Sequence, residues 1–183
     1  MEALPTALDG VIELIPQRHG DARGWFSETW NQQVLQSIGL DLDFVQDNES
    51  LSSDQGTLRG IHYQLAPHAQ DKLVRVVSGA ILDVAVDLRA NSPSFGSHVA
   101  VELSAERGNQ LLVPKGFGHA FCTLVPNCHV AYKVTGRYSP ECDRSLQFDD
   151  PQLGIDWPVT REQAVVSDKD LQAPLLGDAD VFD

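Results

Sequence analysis

The segment from Gly56 to Gly79 is the feature that most limits what this chain can fold into. It carries His62, Gln64 and Lys72 between glycines, and a second glycine-bounded block follows at Gly108–His119. An ammonium group repels a metal cation and attracts an anion. We therefore expect the polar side chains of this segment to face a negatively charged ligand.

The two blocks resemble the two halves of the cupin motif, in which histidines and a glutamate converge on a metal inside a small β-barrel. His62 holds the first ligand position, Gln64 replaces the second histidine, Lys72 stands where the glutamate would be, and His119 holds the last position. Two imidazoles without a carboxylate make a poor metal site, so we expect no bound metal. The resemblance implies an all-β, cupin-type jelly-roll barrel or sandwich.

From Leu73 onward, apolar and polar residues alternate as they do in strands. In Leu82–Leu88 the apolar residues alternate with Asp83, Ala85 and Asp87, which predicts a half-buried strand. Ser78-Gly79 predicts a tight hairpin turn that joins it to the strand Leu73–Val77. Many short strands at such spacing indicate a sandwich or barrel. Further predicted strands are His98–Leu103, Gln110–Val113, His119–Leu124 and His129–Thr135.

A few short helices are predicted at the periphery of the β-structure. The apolar residues of Trp30–Ile38 have helical spacing, with Ser27 or Thr29 as the N-cap and Gly39 as the stop. Thr160–Gln163 has the pattern of a capping box and predicts the start of another short helix.

The size and charge of the chain limit its possible partners. Its 183 residues contain no linker or internal repeat, so residues 1–183 are predicted to form a single domain. A formal net charge of −13 argues against a nucleic-acid partner, which needs a basic face. A small anion needs only a local cluster of cations, which the fold can assemble.

Two features bear on the compartment. No apolar run approaches the roughly 18 residues of a membrane span, and the N-terminus lacks the pattern of a signal peptide. We therefore expect a cytoplasmic location and no membrane partner. Cys122, Cys128 and Cys142 are odd in number and lack CxxC spacing, so no disulfide framework is expected.

Several short blocks carry a more specific resemblance. They are Asp21–Glu28, Gln46–Ser50, Leu58–Gln64, Asp71–Val74, Asp83–Asp87, Ser92–Gly96, Tyr132–Lys133, Tyr138–Pro140 and Ser167–Asp170. In this order they resemble the dTDP-4-dehydrorhamnose 3,5-epimerases, a family of the cupin superfamily, from about Leu4 to Pro174. The resemblance implies an isomerase of dTDP-L-rhamnose synthesis that acts on a dTDP-4-keto-6-deoxysugar, with a product used for O antigen or cell-wall polysaccharide.

The chemistry of this family suits the residues. Epimerisation at carbons 3 and 5 of a 4-keto sugar removes a proton next to a carbonyl and returns one to the other face. The reaction needs a base, an acid opposite it and a cation or donor for the enolate oxygen. It needs no nicotinamide, and the chain has no GxGxxG or P-loop motif. We therefore expect no cofactor.

The resemblance implies catalytic roles for four side chains. His62 matches the base, and Asp170 matches the carboxylate that pairs with it and raises its basicity. Lys72 would stabilise the enolate at the 4-keto oxygen, and Tyr132 matches the acid on the opposite face. An ordinary imidazole pKa of about 6.5 suits the base, and a phenol with a pKa of about 10 can donate a proton.

The resemblance also implies a set of substrate-binding residues, part of which comes from a partner chain in a homodimer. Arg23, Arg59, His119 and Lys169 match positions that hold the diphosphate and sugar. The remaining matches, for the nucleoside or sugar, are Glu28, Gln46, Asn48, the thymine-stacking Tyr138, and Asp143, where the family often has glutamate.

Three other interpretations stay open at this point. A single-site epimerase, acting at carbon 3 or 5 in an antibiotic-sugar pathway, would keep the same catalytic residues. A non-catalytic sugar-nucleotide-binding cupin would use the same pocket without turnover. A metal-dependent cupin dioxygenase or isomerase would hold a metal with His62 and His119.

Overall fold

A computed structural model describes all 183 residues, and most of the regular backbone is β-structure. Two short α-helices are present, α1 (Gln32–Ser37) and α2 (Asp168–Leu171), with one 3-10 turn at Leu176–Asp178. Neither their length nor their composition would let any of these helices cross a membrane. The strands are β1 (Glu2–Pro5), β2 (Ile12–Ile15), β3 (Arg18–Asp21), β4 (Gly24–Ser27), β5 (Gln46–Ser52), β6 (Leu58–Gln64), β7 (Lys72–Ser78), β8 (Ala80–Asp87), β9 (His98–Ser104), β10 (Gln110–Val113), β11 (Phe117–Thr123), β12 (Cys128–Val134) and β13 (Asp143–Ser145).

The strands form two large antiparallel sheets and one small one. The six-stranded sheet has the order β1-β2-β10-β7-β12-β5, and the five-stranded sheet has the order β13-β6-β11-β8-β9. Strands β3 and β4 form a separate two-stranded hairpin. Neighbouring strands are mostly distant in sequence, as in jelly rolls. The predicted all-β sandwich is confirmed, and five of its predicted strands appear as β7 and β9 to β12, with ends shifted by about two residues at most.

The main core lies between the two large sheets. Val74, Val76 and Val130 from the six-stranded sheet pack in one cluster with Ile81 and Phe121 from the five-stranded sheet. Burial of apolar surface on this scale is the dominant favourable term in folding. All three cysteines are free thiols, and two of them lie buried in the core.

The prediction of a half-buried strand at Leu82–Leu88 is wrong, because both faces of β8 are covered. Its inward face contributes to the main core, while Val84 and Val86 pack against Leu153 and Leu176 from the C-terminal part of the chain. Both aspartates of the strand, Asp83 and Asp87, are therefore completely buried.

The predicted hairpin at Ser78-Gly79 is also wrong. Gly79 does form a tight turn, with a positive φ of 87°. However, β7 pairs with β10 and β12, whereas β8 pairs with β9 and β11. The turn therefore carries the chain from one sheet to the other, and this places Lys72 and Asp83 in facing walls of the sandwich.

Helix α1 occurs where it was predicted, but its cap differs. Asn31 is the N-cap, and its side-chain oxygen accepts hydrogen bonds from two backbone N–H groups of the first turn. Neither Ser27 nor Thr29 has this role. Gly39 follows the helix with a φ of 87°, as expected for a stop.

The capping box predicted at Thr160–Gln163 is only partly formed. The backbone N–H of Thr160 donates to Oε1 of Gln163 at 3.0 Å, as in a capping box. The segment then ends as a single turn and does not continue into a helix.

Candidate active site

An open cavity of about 830 Å³ lies between the two large sheets. Strands β6, β11 and β13 of the five-stranded sheet line one side, and β5, β7 and β12 line the other. The segment Val165–Asp170 closes one edge. Of the residues singled out from the sequence, those that line this cavity are Gln46, Asn48, Arg59, His62, Gln64, Lys72, His119, Tyr132, Tyr138, Asp143, Lys169 and Asp170.

His62 and Asp170 form a hydrogen-bonded pair in this cavity. Nε2 of His62 lies 2.7 Å from Oδ1 of Asp170, although the two residues are far apart in sequence. Asp170 sits in the first turn of α2, where its backbone N–H donates to the N-cap Ser167. Its other oxygen accepts from the backbone N–H of Gly60 at 3.4 Å. These bonds orient the carboxylate toward the imidazole.

The partners of Asp170 keep it ionised. Burial by itself raises its pKa, but the hydrogen bond and charge of His62 and the donors of Gly60 and Ser167 outweigh burial, so the pKa lies below its usual value. A carboxylate can only accept hydrogen bonds, so Nε2 of His62 carries the proton. The other ring nitrogen, Nδ1, is left free to accept a proton.

Lys72 lies on the opposite wall and is 9% exposed. Its ammonium donates to the backbone oxygen of His62 at 3.1 Å. Burial lowers its pKa from 10.5 to about 8, against the opposing charges of Asp83 and Asp143. The cation is thus positioned beside the His62–Asp170 pair with few hydrogen-bonding partners of its own.

Tyr132 lies on β12 of the six-stranded sheet, across the cavity from β6. Its phenol is partly buried, and burial raises its pKa while the nearby Arg59 guanidinium lowers it. The phenol therefore stays protonated at neutral pH. Base and phenol face the same cavity from opposite sheets.

His119 is paired with a carboxylate that sequence reasoning missed. Its strand β11 lies beside β6, with His119 directly opposite His62 in register. Nε2 of His119 is 2.8 Å from Oδ1 of Asp83, which is completely buried. From the sequence, Asp83 was expected to be a polar position of a half-buried strand and was given no role in the site. The sequence did contain one indication of its burial: Asp83 stands two positions from both Ile81 and Ala85, which share its face of the strand and belong to the core.

The cavity mouth holds a charged cluster. The ammonium of Lys169 lies 2.6 Å from Oδ2 of Asp143, and the hydroxyl of Tyr138 donates to the same oxygen at 3.4 Å. The hydrogen bond that Lys169 donates to Asp143 raises the pKa of Lys169 above its usual value. All three side chains reach solvent or the open mouth, so a ligand can approach them.

Two further groups present hydrogen-bonding atoms to the cavity. On β5, the amide of Gln46 donates to Oδ1 of Asn48 at 2.8 Å, which orients both side chains. On β6, the guanidinium of Arg59 is held by Ser52 at 3.1 Å and by the backbone oxygen of Leu51. These bonds leave the other guanidinium N–H groups of Arg59 available to an anion.

Arg23 and Glu28 do not line the cavity of their own chain. Arg23 belongs to the β3–β4 hairpin, where it is 89% exposed and paired with Asp21 at 2.5 Å. Glu28 follows the hairpin and accepts a hydrogen bond from Asn31. The exposed aromatic residues Trp25 and Phe26 lie between them.

Gln64, in the place of a metal-binding histidine, bonds to the backbone of two loops. Its Nε2 donates to the backbone oxygens of His68 and Arg137, and its Oε1 accepts from the backbone N–H of Ser139 at 2.7 Å. No three His, Cys, Asp or Glu side chains gather in an arrangement that could hold a metal ion.

Most of the chain matches a known protein family. Residues 5–178 match the family model for dTDP-4-dehydrorhamnose 3,5-epimerase. The chain belongs to this family. A curated dTDP-4-dehydrorhamnose 3,5-epimerase of Sinorhizobium fredii is 50% identical over 166 residues, which cover 90% of this chain and 85% of the relative.

Solved structures of epimerases of this family have the same fold. A Bacillus anthracis 3,5-epimerase with TDP and PPi bound has a TM-score of 0.92 and 47% identity, covering 95% of this chain and 98% of its own. A Legionella pneumophila enzyme in complex with dTDP-4-keto-L-rhamnose has a TM-score of 0.93 and 43% identity, covering 98% and 94%. The predicted cupin-type jelly roll is confirmed.

Proposed function

We propose that this protein inverts carbons 3 and 5 of dTDP-4-dehydro-6-deoxy-D-glucose to give dTDP-4-dehydro-L-rhamnose, without a cofactor. The observation that carries the proposal is the convergence of a His–Asp pair, a buried ammonium and a phenol on one cavity. These are the base, the oxyanion stabiliser and the acid that the reaction requires.

Proton removal is assigned to His62. With Nε2–H donated to Asp170, Nδ1 is the basic nitrogen, and the adjacent carboxylate stabilises the imidazolium that forms. The 4-keto group makes the protons on carbons 3 and 5 acidic, so an imidazole can act as the base that removes them.

Stabilisation of the enolate oxygen is assigned to Lys72. The ammonium lies in a buried place where its charge is poorly solvated, so its attraction to a developing oxyanion is stronger than in water. A protonated Lys72 is required, and its pKa of about 8 predicts that activity falls as the pH rises through that value.

Reprotonation is assigned to Tyr132. It reaches the cavity from the sheet opposite His62, so a proton from its hydroxyl arrives on the other face of the sugar ring. Delivery to the opposite face is what inverts the configuration of the carbon. The resulting phenolate would be stabilised by the charge of Arg59, which offsets part of the rise that burial causes in the pKa of Tyr132.

Binding of the nucleotide and the sugar is assigned to the remaining polar groups around the cavity. Arg59, His119 and Lys169 would hold the diphosphate and sugar through charge-assisted bonds. Tyr138 is 60% exposed at the mouth, where a thymine ring can stack on it. Gln46, Asn48 and Asp143 would contact the nucleoside or the sugar.

We further propose that residues 1–183 act as one domain within a homodimer. The β3–β4 hairpin carries Arg23 and Glu28 away from their own cavity and exposes two aromatic side chains. Docking of this hairpin on a second copy would bury the aromatic rings and bring both residues to the partner's cavity. The enzyme would act in the cytoplasm and supply rhamnose for O antigen or cell-wall polysaccharide.

The test is turnover of the dTDP-4-keto sugar in heavy water. Double epimerisation predicts deuterium at carbon 3 and at carbon 5, located by mass spectrometry and NMR. Label at only one carbon would support a single-site epimerase, and no turnover would leave a binding protein. His62→Ala is expected to lower turnover at least about 10²-fold, because it removes the base.

A further inference from the structure

Asp83 is buried where an apolar residue would be expected. It lies in β8 in line with Ile81 and Ala85, both of which belong to the main core. It is directly opposite Phe121 of β11, so both side chains point into the sandwich. Asp83 itself does not line the cavity, and it reaches the cavity only through His119.

The carboxylate of Asp83 is only half satisfied. Oδ1 is bonded to Nε2 of His119 at 2.8 Å, whereas Oδ2 is buried and has no hydrogen-bond partner. Burial of an ionised carboxylate is costly unless a partner compensates for it. A core leucine at this position would avoid that cost, so packing alone does not explain why this position holds a carboxylate.

Lys72 is a second partner of Asp83, through the attraction between their opposite charges. Lys72 faces Asp83 from the other wall, and the charge of Asp83 is the largest one that favours its ammonium form, followed by that of Asp143. The other charged or titratable groups around this part of the cavity are Arg59 and His62 on β6, His119 on β11, Tyr132 on β12 and Asp170 on α2.

We propose that Asp83 is a positioning residue for the epimerase: it orients His119 at the cavity wall and keeps Lys72 charged for the enolate. The part of this inference that concerns the enolate rests on the proposed function. Because a carboxylate accepts only, Nε2 of His119 carries a proton toward Asp83 and Nδ1 is the nitrogen left for the substrate. The buried charge of Asp83 thereby acts on two side chains of the cavity, His119 and Lys72, although Asp83 does not line the cavity itself.

The experiment titrates Lys72 directly. The chain has four lysines, so side-chain NMR of lysine-labelled protein gives few signals, and Lys72→Met identifies the signal of Lys72 by its loss. Asp83→Asn and Asp83→Leu are expected to lower the titration midpoint of Lys72 by about one pH unit or more, because a nearby negative charge is removed. The descending alkaline limb of kcat should move by the same interval, and kcat at pH 7.5 should fall by about threefold or more, because the charged fraction of Lys72 drops from about three quarters to about one quarter.

Asp87→Asn is the matched control. Asp87 is equally buried in the same strand, but its carboxylate is bonded to Arg89, Ser92 and Ser94, away from the cavity. It is expected to lower stability without moving the midpoint of Lys72.

An unmoved midpoint in both Asp83 variants, an equal shift in Asp87→Asn, or a moved midpoint with unchanged kcat would overturn the inference. Failure of both variants to fold would also overturn it, because Asp83 would then be needed by the barrel itself. A wild-type chain that does not turn over the sugar would count against the proposed function, while the NMR midpoint would still decide whether Asp83 holds the charge of Lys72.

Discussion

Lys72 is the residue at which stability and the proposed activity make opposite demands. Its side chain is almost fully buried, and the main effect of that burial is to disfavour its charge. The enolate of the proposed reaction needs the same charge. A lowering of the pKa from 10.5 to about 8 corresponds to about 3 kcal/mol in favour of the neutral amine.

Lys72→Met is therefore expected to abolish turnover and to stabilise the fold. The folded chain binds the Lys72 proton less tightly than the unfolded chain, so the wild type gains stability as the pH rises from about 8 to 10.5. The free energy of unfolding of the variant should exceed that of the wild type by about 1–3 kcal/mol at pH 7, and this difference should shrink at higher pH. Denaturant unfolding of both proteins across this pH range measures it. A variant less stable than the wild type at pH 7 would contradict the assignment.

Tyr132→Phe separates removal of a proton from its return to the opposite face. The variant keeps His62 and Lys72, so it can still form the enolate and return a deuteron to the original face. In heavy water it is expected to exchange deuterium while epimer formation falls by at least about 10²-fold at the carbon that Tyr132 serves. Equal loss of exchange and inversion would argue that Tyr132 does not act as the acid.

At the scale of elements, the pairing of β6 with β11 determines the geometry of the site. It sets His62 opposite His119 in register. Gly60 makes the close approach possible, since a Cβ there would lie 2.5 Å from the Cβ of Ala120. Its φ of 126° is also one that other residues rarely adopt. The glycine thus serves both the packing and the alignment of the two imidazoles.

Gly60→Ala is expected to destabilise the fold by about 2–4 kcal/mol and to lower kcat, because the two strands must separate. Gly154→Ala is the control, since Gly154 also has a positive φ of 57° but nothing lies within 4 Å of the added Cβ. Thermal unfolding and steady-state kinetics compare the two variants. Equal losses in both would show that backbone conformation alone matters, and not the contact with Ala120.

The elements also show where sequence reasoning stops. Period-two alternation and turn residues located five strands closely, because each depends on neighbouring residues. The partner of each strand is not a local property. The sequence contained no sign that the Gly79 turn passes between sheets, or that Leu153 and Leu176 cover the outer face of β8. Asp83 was misplaced for that reason.

At the scale of the whole molecule, the β3–β4 hairpin bears on assembly. Arg23 and Glu28 were expected at the substrate, yet both lie outside the cavity of their own chain. Exposed aromatic residues of the kind seen in Trp25 and Phe26 are typical of interface cores. A twofold dimer would exchange two such hairpins reciprocally, one for each cavity.

Mixing of two inactive variants tests this exchange. In a heterodimer of Arg23→Ala with His62→Ala, one cavity receives an intact His62 and an intact Arg23, and the other receives neither. Random reassociation of equal amounts is therefore expected to restore about a quarter of wild-type activity. His62→Ala mixed with Lys72→Met is the control, because both lesions lie in the cavity of their own chain and no recovery is expected. Absence of recovery in the first mixture would place Arg23 outside the partner's cavity.

The sequence by itself determined five of the strands closely and the type of fold, because period-two patterning and turn glycines are local, and its resemblance to the epimerase family implied which groups react. Only the tertiary structure decided which groups meet. His62 and Asp170 are 108 positions apart, and Asp83 reaches His119 only when β8 pairs with β11. Such contacts depend on how two sheets bury their apolar faces, and that burial is a property of the whole chain.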